Sequence, residues 1–573
     1  MADDSTGSDE QGHGTAEKFE PRGEPWNFPD PFTLYKLDSK DGWEKLKARY
    51  LRQPVSFDSA LNRLRANSLA EPVLTDRPFL RCLKIAALNG ARTAVVETRY
   101  IDADYRSEYS LFYSKAFIHY EDSAHRIHFF QAEIGDDETW QLPMEPGYIG
   151  YVIVRPNVRG LVGRTMLQPP PEMRNQVRTA VRETVDFFGQ ALKIRAAPFI
   201  QQDTRLDACA QAAGWMCHYS AYRRADRSVH RRTIGEFTAS ADPSLAAGRL
   251  IPSTGLSLEQ LSDMLTSFGL PPVVEDIDSL DTSDLVPELQ LSSPPVIPHS
   301  PDDDSTKRTL AAIRICCRYL NSGVPVIVIL EQSGSDEDRS DRHAVVICGY
   351  SRDDSGQVQL IVNDDSRGPY LAVSDILRDV DEATGQERRW DQLVVPLPEK
   401  LWMTGSSAER RGLDYFMGAA RRAASANVSD ANKVLEAEAS GKLGVRTYFS
   451  TSNRFKERLR ERCKDPVIIR EYALVRLPRF IWIVEALDVA EREKGKRAGL
   501  SFDKNCCVFG EIVFDGTSDD SDPTVLAIRV PGLIWVRRTR TLREGTLSVR
   551  EGTLSGEIFC SADLIASGGV YDP

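Results

Sequence analysis

The sequence predicts a multidomain α+β protein, on three observations. The chain has 573 residues, enough for roughly three to four separate cores. Runs rich in β-branched and aromatic residues, broken by turn residues, gather between Pro78 and Gln168 and again from Pro466 onward. Between them lies a stretch of small and apolar residues that reads as a buried helix, QQDTRLDACAQAAGWMCHYSAY at 201–222, followed by further strand-like runs.

In chain order, residues 1–25 are polar and acidic and read as a disordered tail. An N-terminal α+β domain is expected over 26–170. Its first part, TLYKLDSKDGWEKLKARYLRQ and ALNRLRAN, looks helical. LRCLKIAALNG, TAVVETRYID, SLFYSKAFIHYE, RIHFFQAEI and YIGYVIVRP look strand-like, and the aromatic string DYRSEYSLFY is read as sheet packing. His125 and His128 differ by three, so on one strand they face opposite sides, and with His119 they are not expected to hold a metal.

A second domain is expected over 171–400. It opens with NQVRTAVRETVDFFGQALK, read as an amphipathic helix, and passes through the cysteine-bearing helix. TGLSLEQLSDMLTSFGL follows, with a Ser257–Gln260 capping box and Gly269 at its end. Residues 283–308 read as a flexible insertion rich in Pro and Asp. The helix TLAAIRICCRYLNSG then feeds the buried strand VPVIVIL, with Cys316 and Cys317 as core thiols. The last domain, 401–573, is a second α+β unit. LDYFMGAARRAASA, DANKVLEAEASG and NRFKERLRERC are expected as helices. PVIIREYALVRL, RFIWIVEALDV, CCVFGEIVFDG, TVLAIRVPGLIWVRR and GEIFCSADLI are expected as strands, and the duplicated REGTLS as a hairpin.

Composition narrows the function classes. A net charge of −12 argues against a basic footprint for nucleic acid or anionic membrane. The longest clean apolar run, VPVIVIL at 324–330, is far below the eighteen or so residues of a membrane span. The start, MADDSTGSDEQGHG, lacks the charged-then-apolar pattern of a secretory leader. Ten cysteines without a CxxC fit neither a disulfide scaffold nor a zinc ribbon, and a reducing cytoplasm is the expected compartment.

The chemistry centres on Cys209. Asp207 two residues earlier is a helix N-cap candidate, and the first turn of a helix favours a thiolate. Gln201 and Gln202 lie just upstream, each able to donate to a developing oxyanion. A nucleophilic cysteine needs a base. Of the eight histidines, His343 alone opens an apolar strand, HAVVICGY. The next run, QVQLIVNDDSRGPY, ends in Asn363, Asp364 and Asp365, and antiparallel pairing would return that cluster to His343.

These residues together resemble the papain-like cysteine peptidases, and most closely the bacterial double-glycine-leader (bacteriocin-processing) branch. The resemblance covers 198–398. It implies a helix carrying the Cys packed on an antiparallel sheet, with Cys209 as nucleophile, His343 as base, Asp364 as orienting acid and Gln202 as oxyanion donor. Three departures stand out. Ala210 follows the Cys where relatives have Gly, Gln202 lies seven residues before it rather than six, and Asn363 or Asp365 could equally supply the acid. The implied activity is hydrolysis of a peptide or isopeptide bond in a protein or peptide substrate, with no cofactor and no metal. Acyl transfer to an amine on the same scaffold, or peptide binding without catalysis, are the rival expectations. The leader peptidases are usually fused to a membrane transporter, which this chain lacks. A processing or effector protease is therefore expected, with the flanking domains choosing the partner. Oligomeric state is not readable.

Overall fold

The computed structural model describes residues 32–51, 77–117, 119–135, 146–156, 161–203, 209–224, 229–240, 256–280, 304–332, 342–352, 358–373, 378–381, 386–428, 430–463, 465–491, 507–537 and 545–549. The expected tail at 1–25, the segment ALNRLRAN, the Asp207 cap, most of the 283–308 insertion and the second REGTLS copy lie outside the described residues. Both helices and antiparallel sheets are present, as an α+β protein requires.

The chain begins with β1 (Phe32–Lys36), α1 (Lys40–Tyr50), α2 (Arg77–Leu88), β2 (Thr93–Tyr100), α3 (Ala103–Leu111), β3 (Ala124–Phe130), β4 (Tyr148–Val154) and β5 (Val162–Leu167). The five strands form one antiparallel sheet in sequence order. Four expectations fail here. TLYK, expected helical, lies in β1, and SLFYSKAFIHYE, expected as a strand, runs from the end of α3 into a single 3-10 turn at Tyr113–Lys115. LRCLKIAALNG is α2, because Phe79, Cys82, Leu83, Ile85 and Ala86 recur at helical spacing and bury one face. DYRSEYSLFY is largely α3, because the Asp102 side chain accepts from the Tyr105 amide (3.0 Å) and nucleates a helix that aromatic content alone does not suggest.

The amphipathic helix expected at 175–193 is instead a hairpin, β6 (Val181–Phe187) and β7 (Gln190–Ala196). Val181, Glu183, Val185 and Phe187 are buried while Arg182, Thr184 and Asp186 are exposed, a period of two that overrides the helical reading. Phe188 (φ 47°) and Gly189 (φ 84°) form the two-residue turn, both in the left-handed region that matches strand twist.

Next come α4 (Cys209–Arg224), α5 (Ile234–Ser240), α6 (Leu258–Ser267), β8 (Pro272–Asp276), α7 (Asp304–Ser322), β9 (Val326–Gln332), β10 (Arg342–Arg352), β11 (Val358–Asp364), β12 (Gly368–Val373), β13 (Arg378–Asp381) and β14 (Gln386–Pro396). The capping box of α6 is formed as expected, with Ser257 and Gln260 exchanging hydrogen bonds. The strands make an antiparallel sheet ordered β12-β11-β10-β9-β14-β13, with β8 also paired to β14.

This central sheet is buried on both faces. Ile327, Ile329, Ala344, Val346 and Ile361 join one core with α4, the hairpin and the N-terminal sheet. Val326, Val328, Leu330, Val345 and Ile347 join a second core with α7 and the C-terminal elements. The first core is continuous across residue 170.

The remaining elements are α8 (Gly405–Ser425), α9 (Asn432–Ala439), β15 (Leu443–Thr451), α10 (Ser452–Arg462), α11 (Pro466–Leu474), β16 (Phe480–Asp488), β17 (Val508–Asp515), β18 (Val525–Val530), β19 (Leu533–Arg537) and β20 (Gly545–Val549). The six strands form an antiparallel sheet in sequence order. PVIIREYALVRL, expected as a strand, is α11: Asp465 accepts from the Val467 amide (2.9 Å), and Pro466 sits at the first helical position, where its missing N–H costs nothing. Among the described residues, no helix is long and apolar enough to cross a membrane.

Candidate active site

Helix α4 is buried from Ala210 to Ser220. Small residues let its neighbours close in: a Cβ at Gly214 would lie 2.9 Å from Met264 Cε and 3.3 Å from Phe237 Cε1. Trp215 anchors it to α3 through a 3.0 Å bond from its indole N–H to Asp104. The first residue of this held helix is Cys209, partly exposed, on the turn whose unpaired amides favour a negative charge. Its Sγ lies 4.0 Å from the Arg342 carbonyl oxygen, at the start of β10.

The pairing of β10 with β11 sets the rest. Val346 faces Asn363, so the strand end carrying the three acidic-cluster positions returns to the start of β10. His343 Nε2 donates to Asp364 Oδ1 at 3.1 Å, and Asp365 Oδ1 lies 3.5 Å from the same nitrogen. The Cys209 side chain stands close enough to favour the charged form of His343. With Nε2 turned to Asp364, Nδ1 is the ring nitrogen left for sulfur.

Three candidates for the acid are thus separated. Asn363 is a structural staple: its Nδ2 donates to the Pro198 carbonyl (3.1 Å) and its Oδ1 accepts from the Tyr370 amide (3.0 Å). Asp364 is fully buried and accepts from His343, the Ser366 amide (2.9 Å), the Ser366 hydroxyl (2.7 Å) and Arg367 Nε (2.6 Å). Asp365 is equally buried, yet neither of its carboxylate oxygens has a hydrogen-bond partner.

The electrostatics follow. Burial alone would raise Asp364, but the Arg367 and His343 cations with their hydrogen bonds hold it well below the usual carboxylate range. Burial would lower His343, and the Asp364 charge outweighs it, holding the imidazole well above its ordinary value. The charged form of the ring is thereby favoured. His343, Asp364 and Asp365 each offer an atom within 4.8 Å of the others, a geometry a metal ion could use. The Arg367 guanidinium already fills that role against Asp364, and it repels a second cation.

Gln201 and Gln202 have different surroundings. Gln201 is buried, and its Oε1 accepts from the Val162 amide at 2.9 Å, so it ties the segment to β5. Gln202 is half-buried between two fixed neighbours. On one side the Gln201 carbonyl accepts from Arg155, which is held by Glu108 through bonds of 2.6 and 2.8 Å. On the other, buried Asp203 accepts from the Tyr113 hydroxyl. This clamp from the N-terminal sheet and α3 has no local signature, since its residues lie 46 and 90 positions from their partners. Ser366 and Arg367 were legible in DDSRG but have no reading until β11 is in place.

Two of the other histidines end on ordinary partners. His125 Nδ1 meets the Tyr50 hydroxyl (3.0 Å), and buried His128 meets the Tyr148 hydroxyl (2.9 Å) and Glu97 (3.3 Å). The arrangement at Cys209 thus holds a thiol at a helix start, a nearby imidazole, and a carboxylate on Nε2 of that ring. Those are the parts of nucleophilic acyl chemistry. No protein-family model matches the chain, and no curated protein matches it.

Proposed function

We propose that this chain is a cysteine peptidase with a papain-like core, hydrolysing a peptide or isopeptide bond through Cys209, His343 and Asp364. One observation carries the reading: His343 Nε2 bonds Asp364 at 3.1 Å, and Cys209 Sγ lies 4.0 Å from the carbonyl oxygen of Arg342, the residue next to that histidine. The helix carrying Cys209 against an antiparallel sheet that supplies His343 and Asp364 supports the same reading.

The cycle uses these groups in turn. Cys209 thiolate attacks the scissile carbonyl, forming a C–S bond, and the oxyanion rests on the Cys209 amide and the Gln202 side chain. The C–N bond breaks as Nδ1 of the His343 imidazolium gives its proton to the leaving amine. Water then attacks the thioester, the now neutral imidazole takes its proton, and the thiolate is restored. Asp364 stays ionised throughout, keeping the ring's orientation and its charge.

Intact-mass spectrometry after brief exposure to iodoacetamide tests this on wild type, Cys209→Ala and His343→Ala. The expected result is one fast adduct, absent in Cys209→Ala and slowed at least tenfold in His343→Ala. Alkylation of Cys209 no faster than that of the other cysteines, and indifferent to His343, overturns the reading.

A further inference from the structure

At the end of α4 remote from Cys209, the helix meets the C-terminal sheet around a cavity of about 120 Å³. Four arginines line it: Arg224 at the end of α4, Arg454 and Arg458 on α10, and Arg479 just before β16. Among the described residues none of the four is paired with a carboxylate. Burial, and then the charges of Arg454, Arg195 and Arg458, push the Arg224 guanidinium down to about 9. Like charges gathered without a counter-ion work against the fold that gathers them.

The cavity is built rather than accidental. Arg224 Nη2 donates to the Arg178 carbonyl (2.9 Å) and the Ala180 carbonyl (3.3 Å), while its buried Nε has no partner. A Cβ at Gly323 would lie 1.7 Å from Arg224 Nη1, so only glycine leaves room for the guanidinium. Arg454 Nη2 donates to the Arg224 carbonyl at 2.6 Å, locking the two arginine-bearing helices together. The same wall carries Ser450 and Thr451, and Thr451 caps the eleven-residue α10. The first-turn amides of that helix add their partial positive charge.

We propose that this cavity binds a phosphate-class polyanion of the size of inorganic diphosphate. The cavity of about 120 Å³ is several times the roughly 10–15 Å³ that a single water requires, so it has room for an anion larger than a single phosphate. Four guanidinium groups, whose planar forks match phosphoryl oxygens, suit its charge better than that of a single phosphate. The site is separate from Cys209, and its occupation does not depend on peptidase activity.

Isothermal titration calorimetry of the full chain tests this with sodium diphosphate, orthophosphate and sulfate at fixed ionic strength. Saturable one-to-one binding of diphosphate is expected, at least tenfold tighter than orthophosphate or sulfate. The double variant R454Q/R458Q is expected to weaken it at least tenfold. Should that variant fail to fold, Arg479→Gln, an exposed residue at the mouth, takes its place with an expected weakening of at least threefold. No saturable heat with diphosphate, equal affinity for orthophosphate or sulfate, or unchanged binding in the folded variants overturns the proposal.

Discussion

Asp364 and Asp365 are neighbours with the same burial and opposite chemistry. Asp364 takes hydrogen bonds from His343, Ser366 and Arg367 and remains ionised. Asp365 takes none from any side chain described, and burial, opposed by the His343 cation and reinforced by Asp364, pushes it up to about 7. Its folded-state value lies above the ordinary 3.8, so the stability it contributes is lost as pH rises from near 3.8 to about 7. Asp365→Asn removes that loss. Its melting temperature is expected to gain on wild type between pH 4 and pH 7 and then hold the gain. A constant difference across that range would sink the account. For His343 the folded value is raised, so its contribution is complete below about 6.5 and fades as pH climbs through the elevated value. In a histidine-ring NMR titration, His343 is expected to lose its proton well above 6.5, and Asp364→Asn to bring that point down. An unchanged midpoint in the variant would remove Asp364 as the source.

At the scale of elements, the sequence was readable where one period dominated. Strand β10, strand β11 and helix α4 could be placed because a run of apolar residues ended in a single chemical group, His343, the acid cluster or Cys209. Residues 175–193 were misread because Val181, Val185 and Phe187 also satisfy a loose helical spacing, and the buried Glu183 hid the alternation. The Glu183 carboxylate is satisfied only by distant partners, the Tyr151 and Tyr219 hydroxyls at 3.0 and 2.8 Å. Helices α2 and α11 were misread on composition, although the Asp465–Pro466 pair was a start signal in plain view. The clamp around Gln202 was beyond sequence reading, because it joins residues brought together only by the N-terminal sheet. Two variants test it. Gln202→Ala is expected to slow acylation by a peptide substrate about a hundred- to a thousandfold while leaving iodoacetamide alkylation of Cys209 intact. Arg155→Met strands the buried Glu108 carboxylate and should cost about 3–5 kcal/mol in denaturant unfolding. A Gln202→Ala enzyme with normal turnover would transfer the oxyanion role elsewhere.

Over the whole molecule, the inner strands of the central sheet have a core on each face. Helix α7 lies between it and the C-terminal unit, and Glu409 of α8 ties the two by accepting from Arg314 (2.6 Å) and Arg318 (2.9 Å). Burial would raise Glu409, but Arg318 and Arg314 draw it down to about 2. The stability from this pairing is therefore present above the ordinary 4.5 and lost as pH falls toward 2. Glu409→Gln leaves two buried guanidinium groups uncompensated and is expected to cost about 3–5 kcal/mol near neutral pH. The cost should shrink in acid, and chemical denaturation at pH 7 and pH 3.5 measures both. An equal cost at the two values would mean that packing, not charge, holds the joint. That helices and antiparallel sheets would both be present was legible in the sequence, but the shared cores were not, since burial on both faces is a property of what is stacked against a sheet.

The separation of Cys209 from the start of β10, 133 residues, has a consequence for the chain as it is made. At the usual 5–20 residues per second of synthesis, the thiol leaves the ribosome many seconds before His343 exists. Helix α4 cannot bury its second flank until β9 and β10 arrive to form it. During that interval the cysteine has neither the imidazole of His343 nor the carboxylate that holds that ring. On the proposed reading, reactivity at Cys209 waits on completion of the sheet that carries His343 and Asp364.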